Sequence, residues 1–468
     1  MANSNNRREF LKTSAAIGAG YFVAAGLTPK PARAANEKLA FACIGVGGKG
    51  GGDTAAAAQN GDIVAICDAD ENTLEAAGKR YEKAKKYYDF RKLLDEMGKS
   101  IDGVTVSTPD HTHAPAAIMA MKMGKHCFCQ KPLTQSIYAA RRMAEVAREM
   151  KVATQMGNQG TAEPSLRKAA ALLRAGCVGT VKEVHVWTNR PIWPQGVDRP
   201  ESEPCPPHVH WEEWIGPAPM RPYAKGYHPF KWRGWWDFGT GALGDMACHT
   251  VNMPYMALEL KNPTAVVAEC SGHNKDSYPA WSVINFDFPA NGWRPAIKFV
   301  WYDGGKRPAD ELFTGSYEKG SIYKAKKAKK KKGAPADEPE QVEEEVMPAT
   351  SGCLVVGEKG RFYAPGDYCE RGWLLFGGAS EPAVTPPESP GHFNEWIEAI
   401  KGGAPAMSNF ATDSGGLTET ILLGNLAVWA ADKGQGKKIE WDAVNLKPTN
   451  APEVEHIVKP PYRAGYSI

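Results

Sequence analysis

The sequence predicts an α/β chain in two parts: an open parallel sheet wrapped by helices, then an α+β domain on a large, mostly antiparallel open sheet. Three observations carry this expectation. Between residues 39 and 157, short apolar runs alternate with helical stretches, the pattern of strand–helix–strand units. A glycine-rich turn joins the first run to the first helix. After residue 180 strand-like runs recur, alternating or wholly apolar, with fewer helices between them.

In chain order, the first part is expected to hold strands at 39–44, 63–67, 103–107, 126–129 and 152–156, and helices at 50–59, 71–79, 114–122 and 137–151. The first turn reads Gly45-Val46-Gly47-Gly48-Lys49-Gly50, with glycines at its first, third and sixth positions. Such glycines permit a tight turn, close approach of a pyrophosphate and close helix–strand packing. The unpaired N–H groups at the helix start favour phosphate. Asp68 closes the second strand 23 residues beyond Gly45, where an acid bonds ribose hydroxyls and repels a 2′-phosphate. Strand, glycines and acid together mark an NAD-binding Rossmann domain over 37–158, with NADP disfavoured. Gly45, Gly47, Gly48, Lys49, Gly50 and Asp68 are its first expected cofactor contacts.

The second part, 159–455, is expected to hold strands at 181–187, 265–269, 281–287 and 296–301, with helices at 165–175, 246–258, 392–400 and 413–431. Residues 319–350 form a low-complexity charged insertion, a solvated surface loop by composition, and 456–468 a C-terminal tail.

Composition excludes other classes. Hydrophobic residues make up 43% and charged residues 23%, with a net charge of +3, which is globular usage and neither disordered, collagenous nor multi-span. The first 36 residues carry five basic residues and one acid, and the insertion carries eight lysines and six acids. Without these segments the body is at −3, so charge gives no case for nucleic acid. The start, Arg7-Arg8-Glu9-Phe10-Leu11-Lys12, a mildly apolar run to Leu27 and Ala32-Arg33-Ala34, has a signal-peptide layout. It resembles a twin-arginine (Tat) signal. Export to the periplasm through the Tat translocon, folded and with cofactor bound, is expected, with residues 1–36 removed and no membrane span in the mature form. The ten cysteines read as small buried apolar groups, not a disulfide framework.

Later crossovers add Ser107-Thr108-Pro109-Asp110-His111-Thr112-His113 and Cys129-Gln130-Lys131-Pro132-Leu133, and the second part contains Gly241-Ala242-Leu243-Gly244-Asp245-Met246-Ala247-Cys248-His249. With the glycine turn, and over roughly residues 38 to 455, these resemble the Gfo/Idh/MocA family (glucose–fructose oxidoreductase, inositol dehydrogenase and rhizopine-catabolism proteins). The resemblance implies that Thr108 and Pro109 line the cofactor, that Lys131 is the lysine of a catalytic Glu-Lys-Pro motif, and that Asp245 and His249 face the substrate. It also implies a homodimer or homotetramer paired through the open sheet face. The motif's glutamate is Gln130 here, and without that charge Lys131 is expected to deprotonate more easily.

The residues support the same chemistry directly. Oxidising a secondary alcohol requires a hydride acceptor, a base for the hydroxyl proton and donors for the oxyanion. Asp245 and His249, four apart on a helix, share a face. Lys131 ends a strand where open α/β sheets bind ligands. His249 is the expected general base, Lys131 the donor to the reacting oxygen or a proton relay, and Asp245 the group that orients His249 or holds a neighbouring hydroxyl. His113, Gln130, Lys131 and Asn158 complete the expected cofactor set; Lys131, Asn158, Trp235, Trp236, Asp245 and His249 form the expected substrate set. The aromatic-dense stretch 187–236 suits stacking on a sugar. His111-x-His113 and His208-x-His210 lack the further ligands of a zinc site, so no metal is expected.

The function expected is an NAD(P)-dependent oxidoreductase, NADP being the less favoured cofactor, that oxidises or reduces a hydroxyl of a sugar, polyol or glycoside with its cofactor tightly held. One alternative is a redox-neutral enzyme that cleaves or epimerises a glycoside through a transient ketosugar. Another, from a different class, is a non-catalytic NAD-containing binding protein.

Overall fold

The computed structural model describes residues 38–324 and 348–468; the Tat-like leader and residues 325–347 of the insertion lie outside the described residues. The first sheet contains β1 (Leu39–Ile44), β2 (Gly61–Cys67), β3 (Lys85–Tyr87), β4 (Gly103–Val106), β5 (His126–Cys129) and β6 (Thr154–Met156), in the order β3-β2-β1-β4-β5-β6. The registered pairs β1–β4, β2–β3, β4–β5 and β5–β6 are all parallel. Strand order reverses between β1 and β4, which opens a crevice at the strands' C-terminal ends.

Short polar side chains start the covering helices. Asp70 accepts from the Asn72 N–H at 3.0 Å ahead of helix Glu71–Arg80, and the Ser136 hydroxyl accepts from the Ala139 N–H ahead of Ile137–Met150, as N-caps do. Two elements of this first part were not anticipated. β3 has only three residues, with Lys85 and Lys86 exposed at the sheet edge, where charge guards against pairing and hides the strand's apolar signal. Helix Phe90–Met97 buries Phe90, Leu93, Leu94 and Met97, a spacing of i, i+3, i+4, i+7 that was open to reading.

Among the described residues the second sheet has ten strands: β7 (Val181–Trp187), β8 (Ala265–Cys270), β9 (Ser282–Phe288), β10 (Ile297–Tyr302), β11 (Tyr317–Lys319), β12 (Gly352–Gly357), β13 (Gly360–Pro365), β14 (Leu374–Gly377), β15 (Ile439–Asp442) and β16 (Lys447–Pro448). Their order is β11-β14-β13-β12-β7-β10-β9-β8-β15-β16. β7 and β10 run parallel and the other pairs antiparallel. Helix Gly415–Trp429 crosses this sheet so closely that a Cβ on Gly424 would meet Leu243 and Phe286 within 3 Å. The expected helix 246–258 is instead two helices, Gly241–Thr250 and Asn252–Leu258. Pro254 has no N–H to return to the preceding turn, so it interrupts the ladder.

Helix His392–Ile400, expected within the second part, packs on the first sheet. Trp396 is fully buried, its ring 5.6 Å from that of Phe41 and 5.8 Å from that of Phe128. Its indole N–H donates to the Ala153 carbonyl at 3.1 Å. A buried Arg167–Glu395 ion pair secures the same helix to Pro164–Arg174. The ten cysteines are all free thiols, and nine are buried. Among the described residues no helix is long and apolar enough to cross a membrane.

Candidate active site

A cleft of about 650 Å³ opens at the switch point. One wall is the glycine turn with Asp68, Thr108, Pro109, Gln130 and Lys131; the facing wall is Trp214, His228, Phe230, Trp232 and Arg233. Gly45 has φ +79°, and a Cβ there would lie 2.6 Å from the Ser107 carbonyl oxygen. Helix Gly48–Asn60 has no side-chain cap and no acid in its first turn, so its N–H groups are left for an anion. Asp68 accepts from the Val46 N–H at 2.9 Å and the Asp70 N–H at 3.0 Å. Burial raises its pKa. Turn, helix start and acid fit a dinucleotide.

At the inner end, Lys131 Nζ donates to Asp245 Oδ1 at 2.9 Å and to the Asp245 carbonyl at 2.8 Å. Arg233 Nε donates to the same Oδ1 at 3.1 Å. Arg233 is itself held by Trp232, whose ring centre lies 4.2 Å from the guanidinium carbon. Burial opposes the charge on Lys131, but Asp245 and the Cys248 sulfur prevail and raise its pKa. Burial likewise opposes ionisation of Asp245, and Lys131 and Arg233 together overcome it and lower its pKa. The expected ease of deprotonating Lys131 is therefore corrected: the charge missing at Gln130 is supplied from the second domain by Asp245.

His249 lies one helical turn beyond Asp245 on Gly241–Thr250, and both side chains are buried. Burial, then the Lys131 charge, push its pKa well below the ordinary value, so the ring is neutral. Its Nδ1 is buried without a hydrogen-bond partner, and its ring meets Tyr368 edge-on at 4.7 Å.

Other expected site residues lie elsewhere. Gly50 is a packing glycine: a Cβ there would sit 2.1 Å from the Gly45 carbonyl oxygen. His113 is fully buried, with its ring nitrogens 2.8 Å from the Pro132 carbonyl and 2.9 Å from the Thr108 carbonyl. It ties the two cofactor-side loops together without lining the cleft. Asn158 is fully buried between the Ser408 hydroxyl and, at 3.5 Å, the Cys248 carbonyl. Trp235 is an interior side chain donating to the Gly226 carbonyl at 2.8 Å. Trp236 stacks on Tyr278 at 3.7 Å in a separate cavity of about 230 Å³. His111 and His113 stand on helix Asp110–Lys122, where a spacing of two points side chains apart. Among the described residues no three His, Cys, Asp or Glu side chains gather as a metal site.

The buried histidines give a pH prediction. Burial lowers His113 to about 4, and likewise His111 and His392. A group depressed in the folded state stabilises fully above its ordinary value near 6.5 and loses that contribution as pH falls towards 4. Asp110 and Asp413, raised by burial to about 7, act oppositely over this range, so the readout is a difference. Unfolding free energy against pH should fall less steeply towards acid in His113→Gln than in the parent, by up to about 1.4 kcal/mol per pH unit; parallel curves would overturn this.

Residues 39–158 match the Gfo/Idh/MocA family model described as "Oxidoreductase family, NAD-binding Rossmann fold", and 169–332 match its "Oxidoreductase family, C-terminal alpha/beta domain". The chain is 23% identical over 205 residues to levoglucosan dehydrogenase of Pseudarthrobacter phenanthrenivorans, covering 43% of this chain and 44% of that protein. It is 33% identical over 137 residues to a glycosyl hydrolase family 109 protein of Stenotrophomonas maltophilia, covering 26% of this chain and 29% of that one. The chain thus spans less than half the length of these curated relatives. Its fold is similar to that of the WlbA dehydrogenase from Bordetella pertussis, solved with NADH and UDP-GlcNAcA. That likeness has TM-score 0.56 and 16% identity, over 87% of this chain and 99% of that one. With both domain models matched in order and the Lys131–Asp245–His249 constellation assembled between them, the chain belongs to the Gfo/Idh/MocA oxidoreductase family.

Proposed function

We propose that this protein is an NAD-dependent oxidoreductase acting on a secondary hydroxyl of a sugar, polyol or glycoside. The observation that carries the reading is that Lys131 and Arg233, which line the same cleft as the glycine turn, converge on buried Asp245, with neutral His249 one helical turn beyond it. Bound NAD supplies the hydride acceptor. Lys131, kept charged by Asp245, donates to the substrate oxygen and stabilises the negative charge that grows there. His249, held neutral by burial and the Lys131 charge, takes the hydroxyl proton, and neutrality makes it competent to do so. Arg233 fixes the Asp245 carboxylate, so Lys131 keeps its aim while charge moves. Asp68 favours NAD by offering a carboxylate where NADP carries a phosphate.

The leader makes Tat export to the periplasm part of this reading, with the cofactor carried along and retained, and assembly as a homodimer or homotetramer. The family 109 glycosyl hydrolase relative favours a second reading on the same residues: transient oxidation, loss of the acidified neighbouring proton with expulsion of the aglycone, addition of water across the double bond so formed, and return of the hydride to the ketone. The testing experiment is native mass spectrometry of the exported protein, followed by a glycoside and polyol panel scored for ketosugar and for free aglycone. Retained NAD or NADH with ketosugar formation supports net oxidation, and aglycone without ketosugar supports the redox-neutral route. Retained nucleotide with neither product leaves the non-catalytic NAD-containing binding protein, and failure to bind either nucleotide overturns all three readings. Asp68→Ala should weaken NAD binding about tenfold, the worth of a charge-assisted hydrogen bond, and narrow the preference over NADP; unchanged affinities would remove Asp68 from the site.

A further inference from the structure

Asp53 is a buried carboxylate that the mechanism above does not use. It lies on helix Gly48–Asn60, one turn past the glycine turn, and is 2% exposed. Its Oδ1 accepts from Lys49 Nζ at 2.7 Å. Its Oδ2 accepts from the Ser107 hydroxyl at 2.8 Å and from Gln130 Nε2 at 2.8 Å. The Gln130 Oε1 in turn accepts from the Lys131 backbone N–H at 3.3 Å. These three donors belong to three separate chain segments: the phosphate turn, the Ser107–Pro109 loop after β4, and the lysine loop after β5. Gln130 has no slack, since a Cβ on Gly157 would lie 2.5 Å from its amide.

A buried carboxylate costs free energy unless its oxygens are bonded, and here all the bonds run to groups that line the cofactor cleft. We propose that Asp53 is a positioning residue: one buried carboxylate that locks the phosphate turn, the Ser107 loop and the Lys131 loop into a single register, and that requires an amide at position 130. The requirement is stereochemical. The two Oδ2 partners must both donate, which Gln130 does through its NH2 and an ionised glutamate cannot. Gln130→Glu would bring two carboxyl groups to hydrogen-bond distance with one shared proton between them.

The same geometry specifies its own rescue, the double variant Asp53→Asn with Gln130→Glu. The amide nitrogen introduced at position 53, standing where Oδ2 stood, has two hydrogens. One serves the facing oxygen of the carboxylate introduced at position 130, and the other serves the Ser107 hydroxyl oxygen. The remaining side-chain oxygen at position 53 still accepts from Lys49, and the second carboxylate oxygen at position 130 still accepts from the Lys131 N–H. All four bonds survive, the two at the former Oδ2 with donor and acceptor exchanged and the two from Lys49 and the Lys131 N–H unchanged.

The inference rests on the dinucleotide reading of the cleft, so the test is a four-protein cycle read in two ways: melting temperature without nucleotide, and NADH affinity by fluorescence titration from pH 5.5 to 8.5. Each single variant should lose about tenfold or more in NADH affinity at pH 8 and melt earlier, whereas the double variant should return close to the parent in both. Gln130→Glu alone should bind more tightly as pH falls, because the shared proton is then present, while the parent and double variant lack that slope. Additive losses in the double, or singles indistinguishable from the parent, would overturn the proposal. Should a single variant fail to fold, a folded double supports it and an unfolded double overturns it. A parent that binds no NADH would overturn the dinucleotide reading, while the melting cycle still decides whether positions 53 and 130 are coupled.

Discussion

His249→Ala is expected to lower turnover by about 10²- to 10⁴-fold, the usual contribution of a positioned proton acceptor, with NAD affinity nearly unchanged. Affinity is spared because the cofactor-side wall is built from the glycine turn, Asp68, Thr108 and Pro109, and His249 sits beyond Asp245 against Tyr368. The loss falls on turnover because the ring is neutral and so able to accept a proton. Stopped-flow reduction of NAD with the true substrate, beside a nucleotide titration, checks both halves. Full activity in the variant would remove His249 from the reaction.

Lys131→Met is expected to abolish turnover and also to destabilise the fold. Asp245 would keep Arg233 but lose its nearer cation at 2.9 Å. Stranding one partner of a buried ion pair costs about 3–5 kcal/mol, the upper end being softened here by Arg233. Loss of a preorganised donor to the developing oxyanion costs a further 10²- to 10³-fold in rate by itself, in order of magnitude. The two effects separate in Lys131→Met/Asp245→Asn: removing the stranded charge should recover most of the melting temperature while turnover stays lost. If activity returned with stability, Lys131 would serve packing alone.

The placement of Lys131, Asp245 and His249 was legible because short motifs fix it. The glycine turn must follow a strand, Lys131 must end one, and Asp245 and His249 need only one helical turn to share a face. Arg233 was not legible, since nothing in Lys231-Trp232-Arg233-Gly234 says that its guanidinium reaches Asp245 twelve residues on. Tyr368 arrives on the β13–β14 loop, past the charged insertion, where no periodic pattern announced a strand. Trp235 and Trp236 show how an aromatic-rich stretch offers rings to a sugar and to the core equally: Trp235 is interior, while half-buried Trp236 stacks on Tyr278 beside a separate cavity. His113 was placed beside the cofactor from its position in a motif, whereas its two carbonyl neighbours make it a clasp between loops.

The return of helix His392–Ile400 to the first sheet has a consequence for how the chain is made. When residue 158 has been synthesised all six strands of that sheet exist, yet the faces of Phe41 and Phe128 remain without Trp396. The bond from Trp396 to Ala153 spans 243 residues. At 5–20 residues per second, that cover arrives roughly 12 to 50 seconds later. For that interval the nascent sheet carries bare aromatic surface on the ribosome, so the nucleotide-binding half completes its packing only after most of the other half has been translated.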